Sequence, residues 1–301
     1  MSSSARSPIP APRRPAAIAG IACGIGAGLF WATGFVAARH GISVGFSPAD
    51  LVLHRFIWAG FAFLPFIARD GFANFGAIGW RKSVVLTVVA GPPLAHLTYA
   101  GFLLVPLAHG GVIQPSCAAI GGLVLATLVL KEKLPAQRAA GAAFIVIGLC
   151  VIGGEALATI GTHGLIGDLF FVAAGLLFAS FAVLLRLWRI APMRAVVVTS
   201  VVALVELPIH WLAFGFERMI ALGLFENLVQ ALAQGIFAGA GATYLFSRSV
   251  VLLGAGRAAV FPSLVPGFTL LIGFLAIGEV PSAAQLVGFA IVLTGFRLTQ
   301  R

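Results

Sequence analysis

The sequence predicts an all-α polytopic membrane protein with ten transmembrane helices, arranged as two inverted five-helix repeats with both termini in the cytoplasm. Its composition is the first indication: 60% of the 301 residues are hydrophobic and only 9% are charged. A soluble domain normally carries about 25% charged residues. The number of long apolar segments and an internal repeat are the second and third indications.

The apolar segments account for nearly the whole chain. A helix needs about 20 apolar residues to cross the hydrocarbon core. The predicted spans lie near residues 16–38, 48–68, 83–105, 111–130, 135–153, 166–188, 194–214, 228–251, 257–278 and 282–299. We expect residues 1–15, rich in Ser, Pro and Arg, to form a disordered tail. The first repeat then covers residues 16–153 and the second repeat residues 154–301.

One residue pattern occurs twice without a gap. Pro115-Ser116 recurs as Pro262-Ser263, 147 positions later. At the same offset, Gly28-Leu29, Ala32, Val36, Arg39, Glu132, Gly141 and Gly148 recur as Gly175-Leu176, Ala179, Val183, Arg186, Glu279, Gly288 and Gly295. Apolar matches are common by chance in such a chain, whereas matched Pro-Ser, Glu and Arg are not. The pattern therefore indicates an internal duplication.

The basic residues set the orientation. With the N-terminus inside, sixteen Lys and Arg residues fall on the cytoplasmic side and only Arg39 and Arg218 on the other, as the positive-inside rule requires. Five helices per repeat make the second copy enter from the opposite side. Inverted repeats give two nearly equivalent arrangements of one structure, which favours alternating access.

The charge of +10 raises nucleic-acid binding as an alternative. The basic residues are spread singly between apolar segments rather than gathered in a patch, so we expect contacts with lipid headgroups and no nucleic acid. The sequence has no P-loop motif for an ATP-driven pump. No catalytic, metal or cofactor constellation is visible, so an enzyme is not predicted, and the sparse polar residues disfavour a channel.

A further set of motifs is spread over both halves of the chain: Phe30-Trp31, Pro48, Arg55, Leu130-Lys-Glu-Lys-Leu-Pro, Ala258-Ala-Val-Phe-Pro-Ser-Leu-Val-Pro and Ile277-Gly-Glu-Val-Pro. In these motifs the sequence resembles EamA-type proteins of the drug/metabolite transporter superfamily. The resemblance implies a multi-pass secondary transporter of the bacterial cytoplasmic (inner) membrane. Such proteins commonly export amino acids, aromatic ones included, or other small metabolites. A sugar, a nucleotide-linked or a drug-like solute remains an alternative.

Interrupted helices at matching positions predict a transport site. Gly91-Pro92-Pro93 interrupts the third span and Gly239-Ala240-Gly241 the eighth. His96 and Tyr99 follow the first break, and Thr243 and Tyr244 follow the second. We expect these polar groups to face a cavity near mid-membrane. The alternative is that the glycines only pack helices and the tyrosines lie at an interface.

Two further sets of residues that the 147-residue offset matches, which we call repeat mates, are candidates to line the cavity. Gln114-Pro115-Ser116 and its mate Phe261-Pro262-Ser263 are expected to open the fourth and ninth spans, with the polar groups at two gates. Trp31 and Thr33 in the first span correspond to Phe178 and Ser180 in the sixth. Aromatic walls with small hydroxyls suit an apolar solute carrying a polar head, although core or lipid-facing aromatics would produce the same pattern.

Charged residues within spans usually face a cavity or a partner. Arg55 and Glu206 lie at a similar predicted depth, so they either pair directly or share the carboxylate and ammonium of a substrate. A pair that only fixes the packing is the alternative. His54 and His96 are candidates for proton coupling, because histidine titrates near neutral pH.

Overall fold

All regular secondary structure in the described residues is helical. The computed structural model describes residues 14–71, 75, 78–105, 107–154, 165–277 and 280–300. Within these ranges, ten helices are long and apolar enough to cross a membrane, which confirms the predicted ten-span, all-α fold. The predicted tail falls outside the described residues up to position 13, and so does Glu279. Arg14 and Pro15 were wrongly assigned to the tail: they begin the first helix, where proline's missing N–H costs nothing.

We number the spans 1 to 10 in chain order. Spans 1 to 5 are Arg14–Val44, Pro48–Asp70, Trp80–Ala90 with Pro92–Leu104, Leu107–Leu130, and Ala136–Gly153. Spans 6 to 8 are Leu165–Leu187, then Pro192–Val202 with Ala203–Val205 and Glu206–Phe214, then Gly223–Gln230 with Ala231–Gly241 and Ala242–Leu253. Spans 9 and 10 are Ala255–Ala258 with Phe261–Leu264 and Val265–Ile277, then Ala283–Gln300. A short helix, Glu217–Ala221, precedes span 8.

Several helices continue past the apolar segments from which they were predicted. Span 1 runs to Val44 instead of residue 38, because polar residues do not end a helix once it leaves the membrane. Span 4 begins at Leu107, well before the predicted residue 111. Pro115 therefore lies inside this helix and does not open it. Its mate Pro262 does lie at the start of a 3₁₀ segment.

A capping box fixes the start of span 2, which carries Arg55. The Ser47 hydroxyl oxygen accepts from the Asp50 N–H at 3.2 Å, and the Asp50 carboxylate accepts from the Ser47 N–H at 2.7 Å. The Ser47 and Asp50 N–H groups, which have no partner within the helix, are thereby satisfied. Pro48 occupies the first turn without losing a hydrogen bond.

Spans 5 and 10 pack antiparallel through two glycine pairs. A Cβ atom on Gly141 would lie 2.7 Å from the Gly295 carbonyl oxygen, and one on Gly148 would lie 2.7 Å from that of Gly288. Such contacts permit only glycine, since small residues allow helix backbones to approach closely in membranes. The four glycines are the mates of the sequence repeat, and their antiparallel contact relates the two five-helix units by inversion.

The predicted helix breaks take different forms in the two repeats. Span 3 is interrupted at Gly91 as expected, with a new helix starting at Pro92. Span 8 stays continuous but is wound as a π-helix over Ala231–Gly241. Proline removes a backbone donor and forces an interruption, whereas the matching glycine segment only relaxes the winding.

Spans 2 and 8 approach closely at the π-helix. A Cβ atom on Gly235 would lie 2.9 Å from the His54 carbonyl oxygen, and one on Gly239 would collide with that of Arg55. Gly239 thus serves close packing as well as bordering the cavity described below. This contact sets the position of Arg55.

The glycine pairs generate a prediction for stability. We expect Gly148→Leu to lower the thermal unfolding midpoint in detergent, because overpacking costs about 1–3 kcal/mol and here the colliding group is backbone. Ala143→Leu is the matched control, since Ala143 is exposed on the same helix and should leave the midpoint nearly unchanged. Equal midpoints for the two variants would contradict the proposed packing.

Candidate functional site

A cavity of ≈ 120 Å³ lies between the two repeats. Spans 1 to 4 and spans 6, 8 and 9 contribute to its wall. Its polar side chains are Arg55, Thr98, Tyr99, Gln114 and Thr243, and its aromatic side chains besides Tyr99 are Trp31, Phe35, Phe56, Phe178 and Phe181. The space is therefore mostly apolar, with a few polar groups that could orient a solute.

Packed aromatic rings form one side of the cavity wall. Trp31 and Phe178, which are mates in the sequence repeat, meet edge to face with ring centroids 5.3 Å apart. Phe246 lies behind them, 4.6 Å from Phe178, and is fully buried. This cluster lies toward the face where the chain's first helix begins, which we call the N-terminal face.

The other end of the cavity points toward the opposite face. Gly110 and Gly111 border it there, within the first turns of span 4. A Cβ atom on Gly111 would meet no other atom within 4 Å. The cavity wall thus reaches the first turns of span 4, on the side opposite the N-terminal face.

Arg55 brings a positive charge into this apolar space. Its guanidinium donates to the Ala238 carbonyl oxygen at 3.4 Å and to the Tyr99 hydroxyl oxygen. The predicted direct pair with Glu206 is not formed in this structure. Glu206 instead accepts a hydrogen bond from His96 at 2.6 Å, because it lies on the side of span 7 that faces span 3.

The His96–Glu206 pair lies beside the cavity and not in its wall. The Glu206 side chain is 4% exposed and that of His96 41% exposed. A carboxylate buried to this degree requires a charged or hydrogen-bonded partner, and His96 supplies it. The expectation that His96 faces the cavity is therefore wrong for this conformation.

The structure brings together only part of the predicted site. The predicted side chains in the cavity wall are Trp31, Arg55, Tyr99, Gln114 and Phe178, and the predicted hinge residues there are Pro115, Gly239 and Pro262. Among the described residues, those outside the wall are Thr33, His96, Ser116, Ser180, Glu206, Tyr244 and Ser263, with Gly91, Pro92, Pro93 and Gly241. The transport role of each residue stays a prediction.

Several of the predicted hydroxyls donate to carbonyl groups of their own helices. Thr33 donates to the Leu29 carbonyl oxygen at 3.0 Å and Ser180 to that of Leu176 at 2.8 Å. A hydroxyl in a helix interior commonly bonds the carbonyl one turn earlier. Thr243 makes the same kind of bond to the Gly239 carbonyl oxygen at 2.6 Å and still lines the cavity, so the bond does not by itself place a hydroxyl outside the wall.

Four histidine–carboxylate pairs join the first repeat to the second. They are His40–Glu226 at 2.8 Å, His96–Glu206 at 2.6 Å, His109–Asp168 at 2.8 Å and His210–Asp50 at 3.2 Å. Three of them lie at helix ends on the opposite face, and the His96–Glu206 pair lies deeper in the same half. No group of three potential metal ligands occurs within the described ranges.

Sequence reasoning missed two buried glutamines in span 8. Gln230 donates to the Ala37 carbonyl oxygen at 2.9 Å, and Gln234 donates to that of Gly34 at 2.7 Å. Both side chains are fully buried. Their spacing of one helical turn within an apolar segment was the available signal, since residues four apart share one helix face. They connect span 8 to span 1 beside the cavity.

A family model settles which proteins the chain is related to. The model described as the EamA-like transporter family matches residues 18–154 and again residues 165–300. The chain belongs to the EamA-like transporter family. This confirms the resemblance seen in the sequence and makes the protein a multi-pass membrane transporter of small solutes.

The other comparisons add the fold alone. A solved structure described only as a crystal structure of a protein aligns with this EamA-like chain at a TM-score of 0.72 and 19% identity, covering 95% of this chain and 96% of the other. Identity that low supports the fold without the function. No curated protein matches the sequence.

The buried pair generates a prediction for stability. We expect His109→Leu to cost about 3–5 kcal/mol, because it removes the histidine from a buried carboxylate. The double variant His109→Leu/Asp168→Leu should be less destabilised than that single variant. In the exposed His40–Glu226 pair, His40→Leu should cost less than about 1 kcal/mol.

Thermal unfolding in detergent measures all three variants. A double variant less stable than His109→Leu, or equal losses at the buried and exposed pairs, would contradict this interpretation.

Proposed function

We propose that the protein is a secondary transporter that exports small metabolites of amino-acid size, amino acids among them, by alternating access. The observation that carries this proposal is the cavity between the repeats, where the repeat mates Trp31 and Phe178 face each other. A binding site at the interface of inverted repeats is typical of such transporters.

The form of the cavity supports a transporter over a channel. A channel requires a continuous wet path, whereas the aromatic cluster of Trp31, Phe178 and Phe246 separates the cavity from the N-terminal face. The cluster would act as one gate, and an arrangement related by the inverted repeat would close the other end. With the N-terminal face in the cytoplasm, this conformation is open to the outside of a bacterial inner membrane.

The size of the cavity favours small solutes. Its ≈ 120 Å³ is below the roughly 300–1,000 Å³ of sites for drug-sized ligands. This volume favours small metabolites over nucleotide-linked or drug-like solutes. Small metabolites with an apolar body remain, since aromatic side chains form most of the wall.

Counterflow in proteoliposomes tests the proposed function. Vesicles preloaded with an unlabelled solute should accumulate the same solute in labelled form, and the rate should saturate with concentration. A panel of amino acids, short carboxylic acids and sugars identifies the solute class. A channel would give a rate that does not saturate with concentration. The absence of flux for every solute of the panel would contradict the proposal.

The aromatic wall generates a prediction for transport. We expect Phe178→Ala to raise the KM for a solute with an aromatic body about tenfold, because the ring supplies apolar contact worth 1–2 kcal/mol. Phe274→Ala is the matched control, since Phe274 is 47% exposed on the outside of span 9. Initial rates of counterflow measure both, and an equal KM for the two variants would contradict the placement of the site.

A further inference from the structure

Arg55 is the only side chain with a formal charge among the described residues that line the cavity. The other polar groups there, Thr98, Tyr99, Gln114 and Thr243, are neutral. The cavity therefore carries a net positive charge. A guanidinium within a membrane span is costly unless it is paired or hydrated, so the electrostatics favour a negatively charged occupant.

The carboxylate on the same helix and the one predicted at a similar depth have other partners. Asp50, on the same helix, accepts from the Ser47 N–H and lies 3.2 Å from His210. Glu206 accepts from His96. Neither carboxylate lines the cavity, and neither forms an ion pair with Arg55 in the described structure.

Arg55 retains hydrogen-bonding capacity for a ligand. A guanidinium has five N–H donors in a fixed fork and binds a carboxylate through two parallel bonds. The Ala238 carbonyl and the Tyr99 hydroxyl are the partners that the structure gives it, and the 3.4 Å bond to Ala238 is long. These two contacts orient the fork and leave donors for a bound anion.

An ammonium group has no carboxylate partner among the described residues that line this cavity. The Thr243 hydroxyl donates to the Gly239 carbonyl oxygen at 2.6 Å. The Thr98 hydroxyl lies 3.1 Å from the Gln114 side-chain oxygen, and both of these side chains are neutral. A zwitterion would therefore place an ammonium near Arg55 without a carboxylate to balance it.

We propose that the cavity selects monocarboxylate anions with an apolar body over zwitterionic amino acids with the same side chain. Arg55 binds the carboxylate, Tyr99 orients Arg55, and the ring cluster of Trp31 and Phe178 holds the apolar body. This inference rests on the proposed function, because it assigns the substrate class of the same cavity.

Four compounds with the same phenylpropyl skeleton and different charges test the proposed selection for anions. They are phenylpropionate (anion), phenylpropionamide (neutral), phenylalanine (zwitterion) and phenylpropylamine (cation). Each competes against radiolabelled phenylpropionate for the purified full-length protein in detergent. We expect phenylpropionate to bind at least about tenfold more tightly than phenylalanine or the amide, and the amine not to compete.

Variants of Arg55 assign the effect to the guanidinium. Arg55→Gln should weaken phenylpropionate at least about tenfold and leave the amide nearly unchanged, while Arg55→Lys should keep part of the preference for the anion. Arg69→Gln is the matched control, because Arg69 is an exposed arginine at the other end of the same helix. It should behave as the unsubstituted protein does.

The two proposals fail in different ways. Phenylalanine binding as tightly as phenylpropionate, or Arg55→Gln binding the anion normally, overturns the selection and leaves the transporter intact. The ranking of the four compounds by the unsubstituted protein stands even where Arg55→Gln does not fold. Absence of phenylpropionate binding also overturns the selection, and absence of counterflow for every solute class overturns the proposed function itself.

Discussion

The structure depends on pairing the polar groups of one repeat with those of the other, because a buried polar group is costly unless it is hydrogen-bonded. Asp50, Asp168 and Glu206 each have a histidine partner on the other repeat. Gln230 and Gln234 bond carbonyls of span 1 in the same way. These contacts fix the two five-helix units against each other, and the cavity is the space they leave.

Arg55 is exceptional within this arrangement. The buried carboxylates of the described chain have cationic or polar partners, whereas Arg55 has a long bond to a carbonyl and a hydroxyl. Its helix is held by the Ser47 capping box and by contact with Gly235 and Gly239, so the charge is placed rigidly. An incompletely paired charge on a rigid scaffold, beside aromatic walls, is suited to binding a solute of opposite charge.

The sequence predicts those features that depend on composition and symmetry. Hydropathy identifies the ten spans, and the 147-residue offset identifies mates such as Trp31 and Phe178 that meet in the cavity. The predicted partner of Glu206 was wrong, because two residues at a similar depth can face different neighbours around their helices. The π-helix at Ala231–Gly241 was missed because winding depends on packing between helices, which a single sequence does not encode. Pro115 was misplaced since proline can lie inside a membrane helix.

Access to the cavity from each face tests the central claim most directly. Ala118→Cys introduces a thiol midway along span 4, in the cavity wall, in a protein whose native Cys23, Cys117 and Cys150 are replaced by alanine. A membrane-impermeant maleimide is then applied to sealed vesicles of each orientation. Alternating access predicts labelling from both faces, slowed by a transported solute. Labelling from one face only, with and without that solute, would contradict it.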